Sequence, residues 1–259
     1  LSIRRQRQMC IRDSKGYGAV VMINCNAGGI IQEIIRSIAK EYRWENYLPA
    51  PYERFTVAPD MLKRIVGRYQ FDSDGTITLK EDQGRLMADV TRMARIELVP
   101  IAQDEFVSML DGTRGKFIKG QTPGEDTLRI GEGASGLKAY RIGEDQKVPY
   151  EYLRAGAFDE AVSRYKAIKK STPSDRVVQE SRLNSLGYEL LGQNNLREAI
   201  VVFTLNTELY PESSNVWDSL GEAYAGAGEK ELAIKYYKKS LELNPKNSNA
   251  AEALKRLQK

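Results

Sequence analysis

Toward the end of the chain, apolar positions recur three and four residues apart: Leu183, Leu186 and Leu190, then Trp217, Leu220 and Tyr224, then Tyr237 and Leu241. That period lines one stripe of a helix. It predicts antiparallel helix pairs, the last of them running from about 214 to 226 and from about 230 to 244. Gly187, Ala199, Gly221 and Ala233 are small where such helices touch, so the backbones can approach closely. Pro211 and Pro245 stop the second helix of each pair. Between 59 and 142 the pattern shortens to alternating runs separated by turn residues, which predicts an antiparallel β domain. Its strands are expected at 67–71, 76–81, 85–90, 96–101, 105–110, 115–119, 127–130 and 137–141, with turns at Asp74-Gly75, Gln83-Gly84, Asp111-Gly112 and Ser135-Gly136. Nearer the start, residues 16–24 form a continuous apolar run of strand length. Ile30, Ile31, Ile34, Ile35, Ile38 and Tyr42 then follow at helical spacing, with Gln32, Glu33, Arg36 and Lys40 outward.

The C-terminal pattern repeats in register. Trp217, Leu220, Gly221, Tyr224, Ala233, Tyr237 and Pro245 are answered 34 residues earlier by Leu183, Leu186, Gly187, Leu190, Ala199, Phe203 and Pro211. Gly156, Ala161, Tyr165 and Pro173 keep the later half of the same template in a weaker first copy. Ala161 precedes Ala199 by 38 residues, and the four extra residues are expected to lengthen a helix over 175–191. Residues 247–257 read as a capping helix whose Ala250, Ala253, Leu254 and Leu257 make a narrow apolar stripe. These offsets resemble the tetratricopeptide repeat. The resemblance implies an all-α solenoid over 149–259 that binds a protein or peptide on its concave face and does not by itself catalyse a reaction. Asn184, Tyr188, Asn215, Asp218 and Glu222 are the candidate peptide-binding residues on that face.

Residues 4–14 are basic and lack helical or strand periodicity, and the run Arg7-Gln8-Met9-Cys10-Ile11-Arg12-Asp13-Ser14 resembles a translated sequencing adapter, so that residues 1–14 are read as adapter-like. A short basic arm for RNA or an acidic surface is the other reading of this segment. One strand and one helix cannot bury the apolar surface that 16–42 carries, which predicts a larger sheet elsewhere. Residues 15–44 resemble the last strand and C-terminal helix of serine hydrolases of the class C β-lactamase and penicillin-binding-protein type, whose catalytic domain ends on a Gly-x-Val-Val-x-x-x-Asn strand similar to the one here, residues 16–24. Residues 15–48 would then be the end of a truncated hydrolase domain. In that family catalysis needs S-x-x-K, Tyr-x-Asn and Lys- or His-x-Gly motifs, all upstream of this strand. Two S-x-x-K strings do occur here, Ser37 to Lys40 and Ser163 to Lys166, but both fall on predicted helices without a Tyr-x-Asn partner. No catalytic residue is therefore assigned, and the chain itself is expected to be inert. The run from Met61 to Tyr69, followed by Leu98-Val99-Pro100 and Phe106, resembles the small β barrel or sandwich appended to those hydrolases; a generic β domain with a lipocalin-like or scaffold role fits these residues equally well. Residues 57–143 are assigned to this domain.

Composition narrows the chemistry further. The chain of 259 residues has no histidine, which removes imidazole bases, Ser-His-Asp triads and the usual zinc and iron ligand sets. Cys10 and Cys25 have no metal-ligand spacing, and Cys25 is read as buried and apolar. No cofactor or metal is implied. The formal charge of +4 arises from 39 basic and 35 acidic residues interleaved along the chain, so nucleic acid is not an expected partner. No stretch is long enough to span a membrane. The expected architecture is multidomain α+β: a strand–helix remnant, an antiparallel β barrel or sandwich, and a repeat solenoid. The expected function is the protein-interacting accessory region of a β-lactamase-like hydrolase that acts outside the cytoplasm, as the resemblance implies, or otherwise a non-enzymatic repeat adaptor.

Overall fold

The computed structural model describes residues 6–10, 18–23, 28–44, 52–131 and 136–258. They divide into two compact units, one formed by the described residues of Leu1–Phe71 with Thr76–Glu144, the other by Asp72–Gly75 with those of Asp145–Lys259.

In the first unit, β1 (Gln6–Cys10) pairs antiparallel with β2 (Ala19–Ile23), and α1 (Gly28–Glu41) packs on this hairpin. The strand at 6–10 corrects the reading of that segment as without strand character. Ladder hydrogen bonds come from backbone groups, so a polar sequence can complete the edge of an apolar strand. Val21, Ile31, Ile35, Ala39 and Trp44 form a small core here. The isoleucine face expected of α1 is only partly covered: Ile30 and Ile34 are exposed, as are Val20 and Tyr42. Cys25 and the linker at 49–51 lie outside the described residues.

The same unit contains a closed antiparallel barrel in the order β10-β3-β4-β5-β6-β7-β8-β9. Its strands are β3 (Gly67–Asp72), β4 (Gly75–Asp82), β5 (Arg85–Val90), β6 (Ile96–Pro100), β7 (Glu105–Ser108), β8 (Arg114–Ile118), β9 (Thr127–Ile130) and β10 (Leu137–Ile142). Alternation decides which side chains point in. Ile77 and Leu79, Leu86 and Ala88, and Phe117 and Leu128 are buried, while Lys80, Arg85 and Lys116 face outward. The β4–β5 turn is a two-residue loop between the partners Asp82 and Arg85, with Gln83 at φ 51° and Gly84 at φ 75°. Both central residues are left-handed, as a type I′ hairpin requires.

One end of the barrel is plugged by α2 (Pro59–Ile65), an element absent from the expected strand pattern, which sends Ile65 into the core with Met61 and Leu62 packed around it. A buried polar cluster fastens this plug. Asp126 accepts from Arg64 Nη2 at 2.6 Å and Nε at 3.0 Å, and from the Gly120 amide at 2.9 Å. Arg64 also donates to the Gly120 carbonyl, and Arg141 donates to the Tyr69 hydroxyl at 2.6 Å, which donates in turn to the Ile65 carbonyl at 2.7 Å.

The second unit is helical. Its pairs are α3 (Pro149–Arg154) with α4 (Phe158–Ser171), α5 (Glu180–Gly192) with α6 (Leu196–Leu209), and α7 (Ser214–Gly226) with α8 (Lys230–Leu243), followed by α9 (Ser248–Leu257). Leu183, Leu186, Leu190, Ala199, Phe203 and Leu220 belong to one continuous core. A Cβ at Gly187 would lie 2.5 Å from the Phe203 ring, so only glycine admits this ring at that depth. The helix expected over 175–191 starts later. Asp175 accepts from the Val177 amide and folds Arg176–Val178 into a 3-10 turn, and α5 begins at Glu180. The Asp72–Gly75 turn belongs to this unit too: buried Asp74 accepts from the Tyr150 amide at 2.6 Å and the Tyr165 hydroxyl at 2.7 Å. At the C-terminal end, Asn247 caps α9 by accepting from the Asn249 and Ala250 amides.

Candidate functional site

Helices α5 and α7 are the first members of successive pairs, and residues 34 apart occupy equivalent positions on them. Asn184 and Tyr188 are four residues apart on α5; Asp218 and Glu222 are four apart on α7, so each pair shares a helix face. The two faces meet. The Tyr188 hydroxyl donates to Glu222 Oε2 at 2.7 Å and lies 3.2 Å from Ser219 Oγ. Its ring stands edge-on to Phe203 at 5.2 Å, which fixes its direction while leaving it 37% exposed.

The electrostatics follow from this packing. Burial pushes the Asp218 carboxyl above the usual carboxylate range and the Glu222 charge adds to the rise, against a hydrogen bond from Asn247. Burial likewise raises the Tyr188 hydroxyl, so Tyr188 stays a neutral donor. Asn184 Oδ1 and Asp218 Oδ1 are buried with no hydrogen-bond partner among the described residues. They are acceptors in equivalent positions, each capable of taking a donor.

Of the five expected peptide-binding residues, Asn184, Tyr188, Asp218 and Glu222 share this face. Asn215 instead donates to Glu180 at 3.3 Å, beside the Ser213 hydroxyl on the same carboxylate. Ser219 and Asn247 join the site without any sequence signal beyond a buried small polar residue and a helix cap. Among the repeat-packing positions, Leu186, Gly187, Ala199, Phe203, Leu220, Gly221, Ala233 and Tyr237 are buried. Burial also pushes the Tyr237 hydroxyl up to about 12. Trp217 and Tyr224 are half-buried, each stacked on Tyr236, and the Trp217 indole donates to the Pro211 carbonyl at 2.8 Å. Pro211 and Pro245 are exposed.

The S-x-x-K strings form no nucleophile. Ser37 donates back to the Glu33 carbonyl on α1, and Lys166 pairs with Glu208 at 2.6 Å, with Ser163 exposed beside it. No metal-holding group of acidic and sulfur ligands occurs among the described residues, and none of the described helices is long and apolar enough to cross a membrane.

The tetratricopeptide repeat family matches residues 216–247. None of the curated proteins compared matches the chain. Among solved structures, a crystal structure of MamA is 23% identical with a TM-score of 0.30, over 43% of this chain and 63% of that one; the chain thus spans less than two thirds of that neighbour. The first tetratricopeptide domain of Spaghetti (RPAP3), bound there to an HSP90 peptide, is 21% identical with a TM-score of 0.31, over 42% of this chain and 84% of that one. The tetratricopeptide domain of Arabidopsis OM64 is 17% identical with a TM-score of 0.31, over 42% of this chain and 88% of that one.

Proposed function

We propose that this chain is a protein-interaction module, with residues 149–259 as its repeat domain, and that the face built by Asn184, Tyr188, Asp218 and Glu222 takes an extended peptide rich in hydrogen-bond donors. The observation that carries this reading is the pair of buried oxygens on Asn184 and Asp218, without a hydrogen-bond partner among the described residues, at equivalent positions of neighbouring helices, next to an exposed tyrosine held by Glu222. A backbone amide or a lysine or arginine side chain would satisfy these acceptors, and the two carboxylates favour a basic peptide over an acidic one. The test is binding of the full chain to an array of extended peptides that differ in charge. Basic peptides are expected to bind best, and Tyr188→Ala or Glu222→Gln to weaken them at least about tenfold, or about 1.4 kcal/mol. Equal binding to every peptide, or binding indifferent to both substitutions, would overturn the reading.

A second reading concerns the parent. The exposed Val20, Ile30, Ile34 and Tyr42 favour a strand and helix, residues 15–48, that belong to a β-lactamase-like hydrolase domain, with residues 57–143 as its accessory β domain. Sequencing the gene upstream of the Lys15 codon tests it. An open frame with S-x-x-K and Tyr-x-Asn is expected, whereas a start codon close to Lys15 would leave a non-enzymatic adaptor.

A further inference from the structure

The barrel core stops short of filling the barrel. A cavity of about 300 Å³ lies inside it, walled by buried Ile77, Leu79, Ala88, Leu98, Phe106 and Leu128. Its lining continues to the ends of β3, β5, β7 and β9, the end opposite α2, where Met93, Leu110 and Leu137 stand 54%, 52% and 42% exposed. One end is thus plugged by a helix and clamped by the Asp126 cluster, and at the other the described residues form a rim of exposed apolar side chains. Gly115 helps make the room. It faces its cross-strand partner Phe106, and a Cβ there would lie 2.0 Å from the Phe106 ring, so glycine lets the ring lie flat against the wall.

We infer that the barrel binds one compact, neutral apolar molecule of about ten heavy atoms, with a hydroxyl or amine left at the mouth. The size follows from the volume, since each water-sized group takes about 30 Å³. An eight-stranded barrel whose side chains do not fill it has room for a single small ligand, and a lining this apolar suits an apolar guest. Ser108, Asp111 and Thr113 are the polar residues of the lining, and Asp111 accepts from the Thr113 amide at 3.0 Å. The Asp111 carboxylate suits a ligand that ends in a donor and disfavours one that ends in a carboxylate.

Calorimetric titration of the full chain with 2-naphthol, followed by displacement with 1-octanol, tests this. Saturable binding of one naphthol per chain, competed by octanol, is expected. Leu110→Asp and Leu137→Asp replace exposed rim residues, so the barrel should keep its fold, and each is expected to weaken binding at least tenfold. Ala88→Phe, which fills the wall, is expected to abolish it. Ile34→Lys places a charge in the exposed apolar surface of α1 and is expected to leave binding unchanged. The inference is overturned if no saturable binding is seen, or if Ile34→Lys removes the binding while the rim variants retain it.

Discussion

Two glycines at the same repeat position differ in what a methyl group would meet. At Gly187 the added Cβ would sit 2.5 Å from the Phe203 ring, whose residue is fully buried; at Gly221 the nearest atom of Tyr237 is 3.0 Å away. Overpacking of a fixed core ring costs about 1–3 kcal/mol, against a gain of roughly 1 kcal/mol from replacing a helical glycine by alanine. Gly187→Ala should therefore destabilise the repeats, and Gly221→Ala should be close to neutral. Urea unfolding followed by far-UV circular dichroism ranks them, and the reverse order would contradict the packing. The small residue at this position was legible from the sequence; the unequal room around it was not, because that depends on how each ring tilts. Asp126 supplies a pH dependence at the same scale. Burial raises its carboxyl, but the Arg64 and Gly120 hydrogen bonds and the charges of Arg64 and Arg141 outweigh this and hold it below the usual carboxylate range. A lowered folded value means that the stabilisation is present above the unfolded value near about 4 and is lost as pH falls through the folded one. Acid should thus loosen the barrel below about pH 4, and Asp126→Asn should remove that dependence while costing about 3 kcal/mol at neutral pH. Equilibrium unfolding across that range checks both, and an unchanged acid limb in the variant would contradict the role of Asp126.

Elements were legible where side-chain period and backbone geometry agree. All eight barrel strands fall within two residues of the positions expected from alternation and turn residues. Closure into a barrel was open between two readings, because the β10–β3 pairing joins residues about seventy apart, as Tyr140 and Gln70 show, and no local pattern records it. The plug α2 escaped notice as a helix, since seven residues hold too few turns for a period to appear. The strand β1 was missed for a different reason: its pairing rests on backbone groups. The start of α5 was placed too early because Asp175 competes for a backbone amide and turns the chain before the helix begins. Asn247 is the opposite case, a cap whose position at the head of an apolar stripe could be read in advance. Asn247→Ala should lower the stability of the last helix by about 1 kcal/mol, seen as faster amide exchange confined to α9, and unchanged exchange there would refute the cap.

For the whole molecule, composition excluded more than it assigned. The chain has no histidine, its charge is interleaved, and both serine–lysine strings lie on helices, with Ser37 donating to the Glu33 carbonyl and Lys166 paired with Glu208. Two features stand out: a polar face at 34-residue spacing, and an apolar cavity in the barrel that alternation could not foretell, because a wall of inward side chains does not say how completely they meet. Four of the five residues expected to bind a peptide share that polar face, and Asn215 is drawn off by Glu180, a long-range partner that spacing along one helix cannot show. The central claim is that this face, and no other part of the chain, carries the interaction. Hydrogen exchange of the full chain with and without the tightest basic peptide from the array tests it most directly. The account predicts new protection concentrated in α5 and α7 around Tyr188, Asp218 and Glu222, and protection confined to the barrel or to α1 would contradict it.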